Sequence, residues 1–165
     1  MELWDLYDEN RNLTGRSVSR DEGIPEGLRH LSVHIWIVNS KREFLIQKRS
    51  ANKKKFPNMW SMTGGAVLKG ENSQQGAVRE VAEELGIELD LNNASIVHTI
   101  VRKDNFVDVW LVRQDFDISQ VKKQDEEVSE VKWADIREID DLVRNHLFTP
   151  SVLDGLAVVL EKTEQ

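Results

Sequence analysis

The sequence predicts a mixed α/β fold in which helices cover a β-sheet. Apolar runs of strand length recur along the chain, such as Leu31–Val38 and Phe44–Gln47. Segments with helical periodicity alternate with these runs, and the clearest extends from Asn72 to Leu85. The chain has 165 residues, which is long enough to bury a substantial core, since one domain typically takes about 100–200 residues. We therefore expect a single domain over residues 1–165.

The first residues predict a β-hairpin. Leu3–Tyr7 has the composition of a short strand, and residues 8–12 are rich in turn formers. Leu13–Val18 is then expected to form the second strand of the hairpin. A loop follows, so residues 1–28 are interpreted as an N-terminal hairpin extension. The charged start lacks the basic-then-apolar pattern of a signal peptide, and no apolar run is long enough to cross a bilayer. The expected location is therefore the cytoplasm.

The main strands and helices follow from periodicity. In Leu31–Val38 every second residue is aliphatic, so one face of this strand is expected in the core. Further strands are predicted over Ala94–Val101, Phe106–Val112 and Val128–Trp133. Helices are predicted over 134–143 and 150–161. The last helix is expected to bury one side, formed by Val152, Leu153, Leu156, Val159 and Leu160.

Composition excludes several classes of function. The chain carries 22 Lys and Arg against 29 Asp and Glu, a formal charge of −7. An acidic protein is not held to nucleic acid or to an anionic membrane by bulk charge. The chain has no cysteine. Disulfides, thiolate metal sites and a cysteine nucleophile are therefore excluded.

The helix over Asn72–Leu85 has recognisable ends. Asn72 and Gln75 have the spacing of a capping box, and Gly86 stands where a C-terminal cap belongs. Its buried stripe is expected at i, i+3, i+4 and i+7. Those positions are Val78, Val81, Ala82 and Leu85.

Three glutamates share another face of this helix. Glu80, Glu83 and Glu84 stand at i, i+3 and i+4, where like charges repel. They also lie toward the C-terminal end, where the helix dipole disfavours anions. The residues alone leave two interpretations open, a solvated acidic face, which is the commoner case, and a cation site. Hard oxygen ligands would select Mg²⁺ or Mn²⁺. Gly76, one turn earlier, would leave room for a ligand.

A longer pattern surrounds the glutamates. Gly65, then Glu71, then the run Arg79–Ile87 (REVAEELGI) resembles the Nudix box of the Nudix hydrolases at every fixed position. The box spans residues 65–87. The approach Phe56–Trp60 with Gly64 and Gly65 also resembles this family, as does the late strand at Glu127–Trp133.

The resemblance implies a Nudix fold, an α/β/α sandwich with a mixed sheet. It implies Mg²⁺-dependent hydrolysis of a nucleoside diphosphate linked to another group. Glu80, Glu83 and Glu84 would then be metal ligands, with the Gly65 carbonyl a further ligand. Glu71 would be an outer ligand or an orienting group, and Arg79 its charge partner. The general base would be Glu83, Glu84 or an acid of the Asp125–Glu127 loop, although a solvated turn is the commoner use of such a loop.

The N-terminal part resembles isopentenyl-diphosphate isomerase, which shares the fold. Trp4–Asn10 and His30–Trp36 carry this resemblance, which would make His30 a metal-binding histidine and would place Asp108 near the catalytic glutamate. The isomerase needs a cysteine where this chain has Gly64, and its box is degraded, whereas here the box is intact. We therefore predict an isomerase-like member that hydrolyses. The alternatives are an isomerase-like enzyme and a non-catalytic nucleotide-binding module.

The substrate pocket is less specified. Arg49 is a candidate for binding substrate phosphates, and the three lysines Lys53–Lys55 fit either that role or an exposed loop. His30 and His34 could line the pocket, and Glu127 could contact the substrate. Trp36 could stack a base, although core packing is the commoner use of tryptophan. The expected partner is a small-molecule diphosphate, bound by a monomer or homodimer.

Overall fold

The computed structural model describes residues 2–164. Over this range a mixed sheet of seven strands is covered by helices, and a two-stranded sheet stands at the N-terminus. The strands are β1 (Leu3–Tyr7), β2 (Leu13–Ser19), β3 (His30–Val38), β4 (Phe44–Arg49), β5 (Trp60–Ser61), β6 (Thr63–Ala66), β7 (Ala94–Val101), β8 (Asn105–Arg113) and β9 (Val128–Ala134). The helices are α1 (Ser73–Leu85), α2 (Ile136–Arg144) and α3 (Leu156–Thr163).

Strand β3 is the centre of the large sheet. It runs parallel to β8 from the pair His30–Asn105 to the pair Val38–Arg113, and β7 pairs antiparallel with the far side of β8. On its other side β3 pairs with β6. Strands β3 and β4 are paired only at Val38 and Phe44, and β4 continues against β5 and β9. The two strands therefore diverge, and this opening positions the functional site.

The sheet buries both of its faces. Leu31, Val33, Ile35 and Ile37 of β3 share one core with Val81 of α1 and its neighbours. Trp36 and Val38 belong to a second core with residues of α2 and α3. Helix α1 therefore lies on one face of the sheet, and α2 and α3 lie on the other. This arrangement confirms the predicted α/β/α sandwich.

Helix α1 begins and ends where its capping residues predict. The Asn72 side chain accepts from the Gln75 N–H, and the Gln75 side chain accepts from the Asn72 N–H. Gly86 adopts a left-handed φ of 64°, a backbone conformation that is unfavourable for residues with a Cβ.

Three expectations about packing are wrong. Ala82 is exposed, whereas Ala77 and Glu84 are buried, so the packed face of α1 is rotated from the predicted stripe. Gly76 does not leave room for a ligand, because a Cβ there would lie 2.8 Å from the Val67 side chain. At the C-terminus Pro150–Asp154 is a 3-10 helix rather than part of α3, and this change of twist leaves Leu153 62% exposed.

The predicted N-terminal hairpin is present and is fastened to the rest of the fold. The Leu3 carbonyl accepts from the Lys69 N–H, and the Asp5 carboxylate accepts from the Gly70 N–H. Arg11 forms two hydrogen bonds with the buried Asp108 carboxylate on β8. These contacts place β1 beside the loop that precedes α1. In the described part of the chain, no helix is long and apolar enough to cross a membrane.

Candidate functional site

A cavity of about 520 Å³ opens where β3 and β4 diverge. It gathers the three glutamates of α1, the two glycines of β6 and a basic group on and after β4. The members that the sequence predicted are Arg49, Lys53, Lys55, Gly64, Gly65, Glu80, Glu83, Glu84, Glu127 and His34. The cavity is therefore lined by carboxylates and by cationic side chains, which is the arrangement that a metal-bound anion requires.

Arg79 connects the loop before α1 to the glutamates. Its Nε donates to Glu71 Oε2 at 2.8 Å, and its Nη2 donates to Glu71 Oε1 at 3.0 Å and to the Ala66 carbonyl at 3.0 Å. Its Nη1 donates to Glu80 at 3.1 Å and to Glu83 at 3.2 Å. Burial opposes ionisation of Glu71, but the hydrogen bonds from Arg79 and the Leu68 N–H hold its pKa below the usual value. Glu71 is therefore a carboxylate that fixes the arginine.

Glu80 lies directly against Gly65. A Cβ added to Gly65 would stand 2.4 Å from Glu80 Oε1, so this position has no room for a side chain. The Glu80 side chain is 13% exposed. Burial raises the pKa of Glu80 to about 7, with Arg79 opposing the shift and the charge of Glu83 adding to it. The glycine thus lets a buried carboxylate approach the backbone of β6.

Glu84 is the most buried of the three glutamates, at 8% exposure. Its carboxylate accepts from Gln47 Nε2 at 2.9 Å, and Gln47 Oε1 in turn accepts from the Thr63 hydroxyl at 2.9 Å. Burial raises the pKa of Glu84 to about 8, although Gln47 opposes the shift, and the charges of Glu80 and Glu127 add to it. Such a group gains most from a nearby cation.

The donor set fits a hard divalent cation. Among residues 2–164, no three Asp, Glu, His or Cys side chains are already arranged as a complete metal site. Arg79 engages Glu80 and Glu83, whereas Gln47 engages Glu84. The carboxylates of Glu80, which lies against Gly65, and of Glu84 are nonetheless the kind of oxygen ligand that Mg²⁺ and Mn²⁺ prefer.

The basic side of the cavity comes from β4 and the loop after it. Arg49 is partly buried at the end of β4, and its Nε donates to the Lys55 carbonyl at 3.0 Å. Lys53 forms an ion pair with Glu127, which comes from the loop before β9. The Ser50 N–H also donates to the Glu127 carbonyl at 3.0 Å. The two loops therefore meet at the cavity.

The two histidines occupy different places. His34 lines the cavity, where burial and then the charge of Arg102 lower its pKa to about 4, with Asp154 opposing them. The ring is therefore uncharged at neutral pH. His30 lies behind Trp4, with the two rings stacked at 4.2 Å, and the buried His30 Nδ1 has no hydrogen-bond partner among residues 2–164. It is Trp4, rather than His30, that reaches the cavity.

Trp36 and Asp108, like His30, lie outside the cavity. Trp36 is 1% exposed and packs between Phe44 and Phe148 in the second core, so no ligand can stack on it. Asp108 is fully buried and accepts from Arg11 and from the Thr99 hydroxyl at 2.9 Å. Asp108 anchors the hairpin, and the interpretation of either residue as a substrate contact is wrong.

Several residues line the cavity although no motif in the sequence predicted them as part of the site. They come from segments far apart in the chain and meet only through strand pairing and the C-terminal turn. They are Gln47, Ser32, Arg102, Asn105, Thr149 and Ser151. Asn105, for example, reaches the cavity because it pairs with the first residue of β3.

Comparison with known proteins identifies the family. The NUDIX domain model matches residues 28–153. An uncharacterized Nudix hydrolase of Listeria monocytogenes is 40% identical over 91% of this chain and 89% of its own length. The chain belongs to the Nudix family and is a Nudix-type pyrophosphohydrolase.

Other relatives agree with the two resemblances in the sequence. The isopentenyl-diphosphate Δ-isomerase of Cereibacter sphaeroides is 29% identical over 88% of this chain and 86% of its own. A Deinococcus radiodurans protein of known crystal structure aligns with a TM-score of 0.77 at 22% identity, covering 94% of this chain and 96% of its own. The chain is thus a Nudix protein with isomerase-like relatives.

Proposed function

We propose that the protein is a Mg²⁺-dependent hydrolase that cleaves the diphosphate of a nucleoside diphosphate linked to another group. The observation that carries this proposal is that the buried Glu80 and Glu84 share one cavity with Arg49 and Lys53. A bound cation would stabilise the ionised form of the buried carboxylates, and the cationic side chains would donate charge-assisted hydrogen bonds to an anion. A diphosphate with its metal ion provides both the cation and the anion. Mn²⁺ satisfies the same oxygen ligands.

The charged residues of the box, Gly65 and the nearby Gln47 have distinct roles in this proposal. Glu80, Glu83, Glu84 and the Gly65 carbonyl hold the metal ion, and Gln47 orients Glu84. A bound divalent cation neutralises phosphate oxygens and lowers the pKa of a water molecule. Arg79 and Glu71 act as positioning residues, because they fix the box loop on α1 and hold Glu80 beside Gly65.

The residues of the basic side bind the phosphates. Arg49 and Lys53 donate charge-assisted hydrogen bonds to the diphosphate oxygens. Lys53 exchanges its partner Glu127 for a phosphate oxygen when substrate binds. A carboxylate among Glu83, Glu84 and Glu127 takes the proton of the attacking water. The whole chain acts as one catalytic domain, since Trp4 of the hairpin also lines the cavity.

An isomerase activity is the second candidate, because isopentenyl-diphosphate isomerases are among the relatives. The isomerase resemblance requires a cysteine at the position of Gly64, and the chain contains none. Conversion of isopentenyl diphosphate to dimethylallyl diphosphate would support this candidate. A non-catalytic module would instead bind a nucleotide and form no product, and the complete set of box carboxylates argues against it.

A panel of diphosphates tests the hydrolase proposal. The wild-type protein is incubated with nucleoside triphosphates, dinucleotides, nucleotide sugars and prenyl diphosphates, with Mg²⁺ or with a chelator, and products are identified by mass spectrometry. We expect a nucleoside monophosphate or inorganic phosphate from at least one substrate, and only with the metal. Glu84→Gln should abolish the product, whereas Glu88→Gln, on an exposed residue just beyond α1, should not. Turnover that is unchanged by the chelator would overturn the proposal.

A further inference from the structure

The loop between β6 and α1 carries the first half of the Nudix box, and its backbone is fixed by hydrogen bonds. All six N–H groups of residues 67–72 donate to an acceptor. Four of these acceptors lie in β3, in the loop itself or in the first turn of α1, and the bonds run from Val67 to the Leu31 carbonyl at 2.9 Å, from Leu68 to Glu71 Oε1 at 2.8 Å, from Glu71 to the Leu68 carbonyl at 3.0 Å and from Asn72 to Gln75 Oε1 at 2.9 Å. Lys69 and Gly70 donate to a different part of the fold.

The acceptors of Lys69 and Gly70 belong to strand β1 of the N-terminal hairpin. The Lys69 N–H donates to the Leu3 carbonyl at 2.7 Å, and the Gly70 N–H donates to Asp5 Oδ2 at 2.8 Å. Asp5 and Gly70 lie 65 positions apart in the chain. Backbone donors that lose such partners turn to water, and the loop that carries them opens more easily. The hairpin therefore supplies two of the six contacts that fix the box loop.

Gly70 is the point at which the loop turns toward the helix. Its φ is 85°, a backbone conformation that is unfavourable for residues with a Cβ. No heavy atom of the described residues lies within 4 Å of a Cβ added there, so glycine is required by the backbone conformation and not by close packing. The acceptor of its N–H is a carboxylate, which makes a stronger hydrogen bond than a neutral oxygen does. Asp5 thus stabilises the turn immediately before Glu71.

The turn at Gly70 is connected to the carboxylates of α1. Glu71 follows Gly70 directly, and its two carboxylate oxygens accept from Arg79 at 2.8 Å and 3.0 Å. The same guanidinium donates to Glu80 at 3.1 Å and to Glu83 at 3.2 Å. If Gly70 moves, Glu71 moves with it, and Arg79 can no longer keep all of these partners. The contact made by Asp5 therefore reaches the glutamates through one peptide and one ion pair.

The hairpin has other attachments that do not involve Asp5. Tyr7 and Arg29 exchange two backbone hydrogen bonds, at 2.8 Å and 3.0 Å. Arg11 forms two hydrogen bonds with the buried Asp108 carboxylate. Replacing Asp5 should therefore release the box loop while the hairpin stays in place. The effect of Asp5 on the box can be measured separately from the attachment of the hairpin.

We infer that Asp5 is a positioning residue for the metal-binding glutamates, because it holds Gly70 and thereby the pair of Glu71 and Arg79. This inference rests on the proposed hydrolase function and adds to it a residue that lies outside the Nudix box. It makes the N-terminal hairpin a working part of the metal site. Asp5 itself contacts neither the metal ion nor the substrate.

Three variants test the inference. Asp5→Ala removes the acceptor of the Gly70 N–H, whereas Asp5→Asn keeps an acceptor oxygen at the same reach and should rescue the loss. Asp8→Ala is the matched control, because the Asp8 carboxylate belongs to the same hairpin and accepts from the Asn10 and Asn12 N–H groups within its turn, each at 2.9 Å. Thermal melting shows that each variant is folded.

The first measurement needs neither metal nor substrate. Hydrogen exchange of the Arg79 Nε–H, followed by NMR at slightly acidic pH, reports its bond to Glu71. We expect this exchange to be faster by about fivefold in Asp5→Ala, the change that corresponds to the net loss of one hydrogen bond. The exchange should stay within about twofold of the wild-type rate in Asp5→Asn and in Asp8→Ala.

The second measurement is of the metal ion. We expect Mn²⁺ affinity to fall by about fivefold in Asp5→Ala and to return to within about twofold of the wild-type value in Asp5→Asn. In hydrolysis, Asp5→Ala should require more Mg²⁺ for half-maximal rate, while KM for the substrate and kcat at saturating Mg²⁺ stay close to the wild-type values. A change that only lowered the stability of the fold would not produce this dependence on the metal ion.

The outcomes separate the inference from the hydrolase proposal. If Asp5→Ala leaves Arg79 exchange or Mn²⁺ affinity unchanged, or if Asp8→Ala weakens Mn²⁺ binding equally, the inference is overturned and the hydrolase proposal stands. If the wild-type protein itself binds no Mn²⁺, the hydrolase proposal fails, and faster Arg79 exchange in Asp5→Ala still supports the connection from the hairpin to the box.

Discussion

Arg79 and Glu71 form a two-point contact, with Nε to Oε2 at 2.8 Å and Nη2 to Oε1 at 3.0 Å. They lie eight positions apart in the chain, so the pair closes the loop between β6 and α1 onto the helix. The same guanidinium reaches Glu80 and Glu83. The pair therefore links the conformation of the loop to the position of the carboxylates.

Replacing Arg79 by lysine should disrupt this link. A lysine ammonium cannot make two parallel hydrogen bonds to Glu71 and also reach the Ala66 carbonyl. We expect kcat/KM of the diphosphate hydrolysis to fall by about tenfold or more, since at least one charge-assisted hydrogen bond is lost. Arg144→Lys is the control, because within the described residues Arg144 pairs with the exposed Asp141 alone, at 3.5 Å. Equal activity of the two variants would contradict a positioning role for Arg79.

Adding one methyl group at Gly65 should displace Glu80. The added Cβ would lie 2.4 Å from Glu80 Oε1, so the carboxylate must move. We expect Gly65→Ala to weaken Mn²⁺ binding and hydrolysis by about tenfold or more, with one ligand misplaced. Gly155→Ala, whose Cβ would come no closer than 3.2 Å to the Val109 side chain, should leave both near the wild-type values. Wild-type metal affinity in Gly65→Ala would remove Glu80 from the ligand set.

Replacing Lys53 should separate substrate binding from chemistry. Lys53→Met removes a cation from the cavity and frees Glu127 from its ion pair. We expect KM to rise by about tenfold, as a charge-assisted hydrogen bond to phosphate is lost, with a smaller change in kcat. Lys54→Met is the matched control, because Lys54 is exposed and does not line the cavity. An equal increase of KM in both variants would show that Lys53 acts through bulk charge alone.

The buried pair of Arg11 and Asp108 should make stability depend on pH. Burial opposes ionisation, but hydrogen bonds from Arg11, Ser73 and Thr99 hold the pKa of Asp108 below its usual value of 3.8. Since the folded-state pKa is the lower one, this carboxylate contributes its full stabilisation above about pH 5, and the contribution is lost as the pH falls through the folded-state pKa. The loss therefore begins below about pH 5, where the carboxyl of the unfolded chain starts to protonate, and it is complete only below the folded-state pKa.

Asp108→Asn measures that contribution. At pH 7 we expect a lower free energy of unfolding by about 3 kcal/mol, the lower end of the range for breaking a buried pair, because Arg11 is 35% exposed. The difference from wild type should be constant between pH 5 and 8 and should shrink as the pH falls below about 5. Asp140→Asn, at an exposed position, should have no such effect. A difference that persists unchanged at pH 2 would contradict the assignment.

Local signals in the sequence predicted most of the secondary structure. Helix α1 was predictable because Asn72, Gln75 and Gly86 specify its ends through contacts within one turn. The strand β3 was predictable because its alternate aliphatic residues all face one core. The long pattern of the Nudix box identified the glutamates, whose clustering is fixed by helix geometry alone.

Burial and pairing across the fold were not predictable in the same way. Whether Ala82 or Glu84 is buried depends on how α1 is rotated against the sheet, and the spacing of apolar residues does not specify that rotation. The side chains of Trp36 and His34 point to the same face of β3, yet Trp36 lies in the core and His34 lines the cavity. Their difference arises because β4 diverges from β3, which is a property of the whole sheet.

Titration of the protein with Mn²⁺, followed by electron paramagnetic resonance, tests the central claim most directly. The account predicts that the wild-type protein binds Mn²⁺, that Mg²⁺ competes for the site, and that Glu84→Gln weakens binding by about tenfold or more through loss of a ligand. Glu88→Gln should bind as the wild type does. Mn²⁺ binding that is identical in Glu84→Gln and the wild-type protein would contradict the assignment of the metal ion to the buried glutamates of α1.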